Sequence, residues 1–297
     1  MPLRQFHSLN QLIDELLEAV CVVDKQGVFV FLSPGSERVF GYKTHEMCGR
    51  NMLEFMHPED KDRTLLAVKD IMAGQQVTAF ENRYVRKDGS VVHLQWSARW
   101  SETEQVRVAV ARDITSHKLV LEQLQHLAFY DSLTGLPNRA LLMDRLQQSL
   151  ARCRRENRVL ALGFVDLNKF KQVNDNFGHA AGDVVLCQMA KALKSALRDT
   201  DTVARLAGDE FVVLIDCQNA TEVEPVLEKL LHACQLELLW QQQQILLDAS
   251  IGVALFPQHA ADAESLLCRA DQAMFKAKLQ WPHLCFATGV VTDLSEK

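Results

Sequence analysis

The sequence lacks the features that mark membrane-spanning, secreted and metal-thiolate proteins. Its longest apolar run covers residues 159–165, far short of the roughly 20 residues that a membrane-spanning helix needs. The opening MPLRQFHSLN has no apolar core of the kind found in signal peptides. The chain has 8 cysteines, and no two of them form a Cys-x-x-Cys pair. We therefore expect a cytoplasmic protein with reduced thiols, no transmembrane segment and no zinc cluster.

An excess of basic residues is also missing. Lys and Arg number 32 against 38 Asp and Glu, so the net charge is −6 and no nucleic-acid partner is expected. A phosphorylated ligand would have to be held by local cations or metal ions. What is present is ordinary globular composition, 48% hydrophobic and 24% charged, in a chain of 297 residues. This length predicts two domains, or one unusually large one.

The first third of the chain has the pattern of a small antiparallel sheet. Apolar residues at helical spacing predict a helix over residues 9–20. Asp-Gly turns and alternating apolar runs then predict five strands, with helices between the second and third over residues 36–74. These strands are expected at residues 19–23, 28–32, 78–86, 91–100 and 106–112.

The segment 114–130 contains neither Gly nor Pro and predicts a helix. Its Val120, Leu124 and Leu127 form a seam about two heptads long, which favours pairing with a second copy of the chain. An amphipathic helix packed on its own domain is the other interpretation. We expect a first domain over residues 1–113, a helical linker over 114–128 and a second domain over 129–297.

The second domain alternates strands and helices, which predicts a sheet covered by helices. Strands are expected at 159–165, 203–206, 211–215 and 245–256, and helices at 180–197, 222–236 and 262–280. The polar run 241–244 is expected to be a loop. The whole chain is thus predicted to be α+β, with an antiparallel five-stranded sheet first and an α/β domain with a central mixed sheet second.

Three carboxylates stand at the ends of predicted strands. Asp166 terminates an apolar strand, and Asp209 and Glu210 occupy a tight turn between two others. Acids brought together in this way need a cation, and Mg²⁺ takes oxygen ligands and bridges phosphates. A solvated acidic hairpin explains the turn equally well when it is considered alone.

Four motifs in register resemble the GGDEF family of diguanylate cyclases over about residues 129–288. They are DSLTGLPNR at 131–139, DLNKFKQVNDNFGHAAGD at 166–183, AGDEF at 207–211 and ADQAMFKAK at 270–278. The first third resembles a PAS sensor domain more loosely, through FGYKTHEMCGRN, FMHPEDKD, RYVRKDGSVV and ARDIT.

The resemblance implies synthesis of cyclic di-GMP from two GTP, with Mg²⁺ or Mn²⁺, between two copies of the chain. It implies metal ligation by Asp166, Asp209 and the carbonyl of Leu167, and deprotonation of the 3′-hydroxyl by Glu210. By the same resemblance, Asn174 and Asp183 bind guanine and His179 contacts the nucleotide. Lys171 and Lys278 bind phosphate, and Gly208 lets the phosphates approach the backbone. The RxxD pair Arg198 and Asp201 matches the family's product-inhibition site, and a surface ion pair is its ordinary alternative.

The sequence departs from the family pattern at three positions. Asn168 stands where a second Asp is common, Ala207 replaces the first glycine of the signature, and Pro282 occupies the place of a phosphate-binding Arg. The missing Arg leaves a second function open, a GGDEF-like receptor that binds GTP or cyclic di-GMP without catalysis. A combined cyclase and phosphodiesterase is not expected at this length. Met52 replaces the flavin-reactive Cys of light-sensing relatives, so the PAS ligand, if there is one, is unknown.

Overall fold

The computed structural model describes residue 13 and residues 15–289. These form two compact units that divide between Gln123 and Leu124. The helix predicted over residues 9–20 lies outside the described residues at positions 9–12 and 14. It is wrong over its last six residues, because 15–18 form no helix and Ala19 and Val20 begin a strand. Within the part of the chain that the structure describes, no helix combines the length and apolarity needed to cross a membrane.

The N-terminal unit is built on one antiparallel sheet. Its elements run β1 (Ala19–Asp24), β2 (Phe29–Leu32), α1 (Gly35–Phe40), α2 (Thr44–Met47), α3 (Lys61–Met72), β3 (Val77–Val85), β4 (Val91–Ser101) and β5 (Val106–Asp113). The strand order is β2-β1-β5-β4-β3. All four pairings are antiparallel, so the predicted five strands with helices after the second are confirmed.

Helix α4 (Thr115–Phe129) follows β5 and matches the helix predicted over residues 114–130. The division between the two units falls inside it. Its seam is not buried within the chain, because the side chains of Val120, Leu124 and Leu127 are 51%, 55% and 62% exposed. Packing of this seam on its own domain is therefore wrong, and pairing with a second copy stays a prediction.

The C-terminal unit contains a mixed sheet covered by helices on both faces. Its elements are α5 (Arg139–Glu156), β6 (Val159–Leu167), α6 (Phe170–Phe177), α7 (His179–Ala196), β7 (Thr202–Ala207), β8 (Glu210–Cys217), α8 (Val223–Ala233), β9 (Leu236–Trp240), β10 (Gln243–Leu247), β11 (Ala249–Phe256), α9 (Ala263–Ala277) and β12 (Leu284–Phe286). The order is β12-β11-β6-β8-β7, parallel for β11 with β12 and antiparallel for the others. The predicted mixed sheet is confirmed, and β9 with β10 forms a separate hairpin.

The two faces of this sheet support two apolar cores, one beneath α7 and α8 and the other beneath α5 and α9. The central strand β6 is buried along almost its whole length because both of its faces are covered. Helix α9 lies directly on β11 at Gly252, where an added Cβ would come within 1.9 Å of the Met274 amide nitrogen. This close approach fixes the end of α9 relative to the sheet.

Several elements of the C-terminal unit differ from the sequence expectation. Helices α5 and α6 and strands β9 and β12 were not predicted, although Leu142, Leu146 and Leu150 of α5 have helical spacing and are buried. Helix α8 ends at Ala233, three residues before the predicted end, because the chain turns into β9. The predicted loop over 241–244 is only half correct, since its last two residues pair with β9 in a hairpin.

Candidate active site

Asp166 lies at the carboxyl end of the buried strand β6 and is only 8% exposed. In the β6–β8 register it stands directly opposite Glu210. Directly opposed residues in an antiparallel pair place their Cβ atoms about 4.5–5.5 Å apart on the same face of the sheet. The strand pairing therefore brings these two carboxylates together on the face covered by α5 and α9.

The third carboxylate, Asp209, is held in the turn between β7 and β8. Gly208 has φ +53°, a left-handed conformation that glycine adopts without the steric cost other residues meet. Arg205 fixes this turn, because its Nε and Nη2 donate to the Gly208 carbonyl at 2.9 and 2.7 Å. Its Nη1 donates to Asp131 Oδ1 at 2.9 Å. Sequence reasoning missed Arg205, although an arginine beside AGDEF with an aspartate in the DSLTG motif was a usable signal.

Burial and mutual repulsion shape the charge of this cluster. Burial raises the pKa of Asp209, and the negative charge of Asp166 raises it further. Burial likewise raises the pKa of Glu210, followed by the charges of Asp166, Asp271 and Asp209. Such a cluster attracts a cation, and the structure supplies one. Lys278 Nζ lies 2.8 Å from Asp166 Oδ1 at the end of α9.

The donor set suits a hard divalent cation with few protein ligands. No group of three or more His, Cys, Asp or Glu side chains is arranged around a metal position within residue 13 and residues 15–289. The predicted set has two carboxylates, Asp166 and Asp209, and the Leu167 carbonyl. Mg²⁺ commonly takes one or two carboxylates and completes its shell with water and substrate phosphates. The residues present therefore fit such an ion.

The predicted guanine-binding residues lie on the paired helices α6 and α7. The side chain of Asn174 rests against Gly182, since a Cβ there would lie 2.0 Å from Asn174 Oδ1. Asp183 follows in sequence and is exposed. The two helices thus hold the Asn174 side chain beside the residue that precedes Asp183.

Lys171 and His179 are both exposed, near the beginnings of α6 and α7 respectively. Helix α7 begins at His179 and its capping position is Gly178. The ordinary alternative for His179, a capping role, is therefore wrong. Lys171 lies five residues after Asp166, so a candidate metal ligand at the end of β6 and a candidate phosphate-binding lysine on α6 are close in the chain.

Two of the departures from the family pattern have structural accounts. Asn168 donates from Nδ2 to Asp248 Oδ1 and accepts from Ser250 Oγ, each at 2.9 Å. An aspartate could not make the first of these bonds at neutral pH, so the amide suits this position. Helix α9 ends at Ala277, so Pro282 does not terminate it, and Pro282 is exposed.

The RxxD pair lies at the other end of β7 from the acidic turn. The Arg198 amide donates to Asp201 Oδ2 at 3.0 Å. Among the described residues no ion pair within 4.0 Å joins their side chains, so the structure does not support the surface ion-pair interpretation. An open groove beside them is lined by Asp199, Thr200 and Asp201 and by three arginines of α5: Arg145, Arg152 and Arg155.

Comparison with known proteins decides the family. The model described as "Diguanylate cyclase, GGDEF domain" matches residues 128–281, just over half of the chain. The chain belongs to the GGDEF family. A second model, the PAS fold, matches residues 29–110 and covers most of the N-terminal sheet. The resemblances seen in the sequence are therefore confirmed.

Individual GGDEF proteins resemble different shares of the chain. The bifunctional diguanylate cyclase/cyclic di-GMP phosphodiesterase MucR of Pseudomonas aeruginosa is 40% identical over 158 residues, 53% of this chain and 23% of MucR. The probable diguanylate cyclase DgcE of Escherichia coli is 30% identical over 277 residues, 91% of this chain and 25% of DgcE. The chain thus spans about a quarter of the length of both.

The solved GGDEF domain of TpbB (YfiN) from Pseudomonas aeruginosa superposes with a TM-score of 0.52 at 37% identity. The match covers 54% of this chain and 94% of that one. The GGDEF unit described above therefore has the fold of an experimentally determined family member.

Proposed function

We propose that this protein is a diguanylate cyclase that condenses two GTP into cyclic di-GMP and releases two pyrophosphates. The observation that supports it best is the convergence of Asp166, Asp209, Glu210 and Lys278 from β6, the β7–β8 turn and the end of α9. Phosphoryl transfer depends mainly on positioning and charge stabilisation, which such a cluster provides. In a hairpin whose acids are only solvated, the carboxylates would not be partly buried and Lys278 would not have to pair with Asp166.

Each side chain has a task in this proposal. Asp166, Asp209 and the Leu167 carbonyl would hold Mg²⁺ or Mn²⁺, which when bound neutralises phosphate charge and polarises the phosphorus centre. Asn174 and Asp183 offer an amide and an acceptor to the two edges of guanine. Because burial raises the pKa of Glu210, its carboxylate accepts the 3′-hydroxyl proton more readily than an exposed glutamate would.

The reaction requires two copies of the chain, since each GGDEF unit offers one nucleotide site and the product contains two nucleotides. The exposed seam of α4 gives a surface through which two copies could pair. The PAS unit would control this arrangement through α4, which follows β5 directly. We place the reaction in the cytoplasm, where GTP is available and where the free thiols of the eight cysteines would stay reduced.

Purified protein incubated with GTP and Mg²⁺ should yield cyclic di-GMP, detected by chromatography. Asp209→Asn should lower the rate by at least a hundredfold. The substitution removes a negative charge that would bind the metal, and this loss should raise the activation barrier by several kcal/mol. Asp88→Asn, in an exposed turn of the other unit, is the matched control and should leave the rate unchanged. Near-normal turnover of Asp209→Asn would refute the metal assignment.

One observation favours a second function, a nucleotide receptor without catalysis. Pro282 replaces the family's phosphate-binding Arg, which removes one cation from the triphosphate. Saturable binding of GTP by the wild-type protein with no cyclic di-GMP formed over many hours would select this alternative. Formation of the product in the same assay would exclude it.

We also propose product inhibition through Arg198 and Asp201. These residues lie before β7 and the acidic turn follows it, so the two sites are separated by a six-residue strand, about 20 Å. The arginine-lined groove of α5 gives the anionic product further cations. Initial rates with added cyclic di-GMP should fall for the wild type and stay level for Arg198→Ala. Equal inhibition of both proteins would refute this site.

A further inference from the structure

The N-terminal unit encloses a small apolar cavity between α3 and the inner face of its sheet. Its volume is about 40 Å³ when only the positions open to the centre of a water molecule are counted, so the space between the wall atoms is larger than this. Small residues create this space, since Ala67, Ala98 and Ala109 line it where larger side chains would fill it. The other walls are apolar and aromatic, with Ile71 and Phe80 among them.

A charged residue occupies the cavity side of β5, where alternation calls for an apolar one. Arg107 is 5% exposed and shares the inner face with Ala109 and Ala111, which are 3% and 0% exposed. The valines of the same strand take the outer positions. Strand geometry therefore directs a guanidinium into the interior of the unit.

No acid neutralises this cation among the residues that the structure describes, because no carboxylate oxygen lies within 4.0 Å of its nitrogens. Its side chain donates from Nη2 to Met52 Sδ at 2.8 Å, a weak acceptor. The Asp24 carboxylate in the neighbouring strand accepts instead from the amides of Gln26 and Val28. Burial accordingly lowers the pKa of Arg107.

Three of the other polar side chains that line the cavity, Thr64, Asn82 and Trp96, are bonded to one another, whereas the hydroxyl of the fourth, Tyr84, makes no hydrogen bond among the described residues. Trp96 Nε1 donates to Asn82 Oδ1 at 2.7 Å, and Asn82 Nδ2 donates to Thr64 Oγ1 at 3.1 Å. Thr64 Oγ1 donates in turn to the Asp60 carbonyl at 2.7 Å. The Arg107 guanidinium is thus the charged group of this cavity, and its one hydrogen bond, to Met52 Sδ, leaves it without a carboxylate partner among the described residues.

We propose that this cavity is a binding site for a small organic carboxylate. Its carboxylate would accept two parallel hydrogen bonds from Arg107, the geometry that guanidinium matches best. Its short apolar or aromatic body would contact Ile71, Phe80 and Trp96. The size of the cavity and its single cation exclude large ligands and polyanions. Because Arg107 lies on β5, which continues into α4, the site is on the strand that leads to the GGDEF unit.

The test uses the full chain and three probes, sodium butyrate, hexanoate and benzoate. Each is titrated at constant ionic strength while tryptophan fluorescence and thermal unfolding are followed. At least one probe should give a saturable fluorescence change and raise the unfolding temperature of the wild type. The controls should bind at least tenfold more weakly than the acids. They are butyramide, hexanamide and benzamide, which lack the negative charge, and chloride, which lacks an apolar group. Equal effects of acids and amides, or saturation by none of the acids, would overturn the proposal.

Two variants separate a ligand-binding arginine from a structural one. Arg107→Met keeps the length of the side chain and removes its charge, so carboxylate binding should fall at least tenfold. The unliganded variant should be as stable as the wild type or more so, because an unpaired buried charge is removed. Trp96→Phe should abolish the fluorescence change while the rise in unfolding temperature persists. Carboxylate binding that survives in Arg107→Met would overturn the assignment, whatever the stability of that variant.

Discussion

Lys278 Nζ lies 2.8 Å from Asp166 Oδ1, so a residue assigned to phosphate and a residue assigned to metal contact each other. The lysine sits at the end of α9, beyond the helix's close contact with β11, and the aspartate ends β6. In the absence of ligands the lysine partly neutralises the acidic cluster. If metal and nucleotide bind here as proposed, this cation would move from Asp166 toward the phosphates.

Replacing Lys278 with Met should have opposite effects on the two ligands. Without nucleotide, Mn²⁺ should bind a few-fold more tightly, because a competing cation is removed from Asp166. GTP should bind at least tenfold more weakly, since a hydrogen bond to a charged group is worth about 1.5–3 kcal/mol. Calorimetric titration of each ligand measures both. Lys276→Met, on the same helix, is the control. Weaker binding of both ligands in Lys278→Met would contradict the competition between lysine and metal.

Gly182→Ala should damage guanine recognition while sparing the fold. The new Cβ would meet Asn174 Oδ1 at 2.0 Å, and this side chain can swing away where backbone could not. The KM for GTP should rise about tenfold, and the unfolding midpoint should stay close to that of the wild type because alanine favours the helix by up to about 1 kcal/mol.

The matched test of this effect is a double-mutant cycle with Asn174→Ala. If Gly182→Ala acts through Asn174, the double variant should be no worse than Asn174→Ala alone. Additive losses in KM would show that Gly182 acts by another route.

Pro282→Arg should tighten GTP binding by restoring a phosphate cation at an exposed position. A gain of about 1.5–3 kcal/mol corresponds to roughly ten- to a hundredfold in Kd. Pro282→Ala removes the ring without adding charge and should leave the Kd unchanged. An unchanged Kd in the Arg variant would mean that the chain after Lys278 leads the new side chain away from the phosphates.

Acid should weaken the PAS unit through Asp60. This buried carboxylate accepts from the Arg83 amide, Nε and Nη2 at 2.7, 3.1 and 2.8 Å. The hydrogen bonds from Arg83 hold the pKa of Asp60 below its ordinary value. A carboxyl with a lowered folded-state pKa stabilises fully above its unfolded pKa, about 4, and this stability is lost as the pH falls further.

Asp60→Asn should therefore lower the free energy of unfolding of this unit by about 2–3 kcal/mol at pH 7. The difference from the wild type should shrink below about pH 4. Urea unfolding at pH 7, 5 and 3.5 measures it, with the exposed Asp70→Asn as the control. A deficit independent of pH would place the cause in packing rather than in the charge of Asp60.

Much of the fold could be predicted because local pattern and tertiary environment agree. Strands β1 and β5 of the N-terminal unit alternate between buried and partly exposed residues, and β6 is apolar because it is covered on both faces. Helix α5 was missed although its buried leucines have helical spacing, whereas strand β9 and its hairpin partner have an ambiguous sequence. Strand β9 directly follows a helix without a Gly or Pro boundary, and Gln243 and Gln244 are polar because their hairpin lies outside the main sheet.

The residues of the candidate site could be proposed from the sequence, but the contacts between them could not. Motif spacing identifies Asp166 and Lys278 separately, yet their ion pair depends on the packing of α9 against β11, which no local pattern encodes. The clamp made by Arg205 joins residues 74 positions apart in the chain. Arg107 looked like an ordinary strand residue, because only the register of β5 decides that it faces inward.

The hydrogen bonds of Arg205 connect the acidic turn to the segment that follows helix α4. Asp131 stands two residues after the last residue of α4, Phe129, and it is tied through the Arg205 guanidinium to the Gly208 carbonyl. A rotation or translation of α4 would displace the backbone immediately before Asp209 through these hydrogen bonds, and it would not require the apolar core to rearrange. The end of α4 and the AGDEF turn are thus joined by hydrogen bonds through one arginine, and a displacement of the helix end would be passed to the position of Asp209.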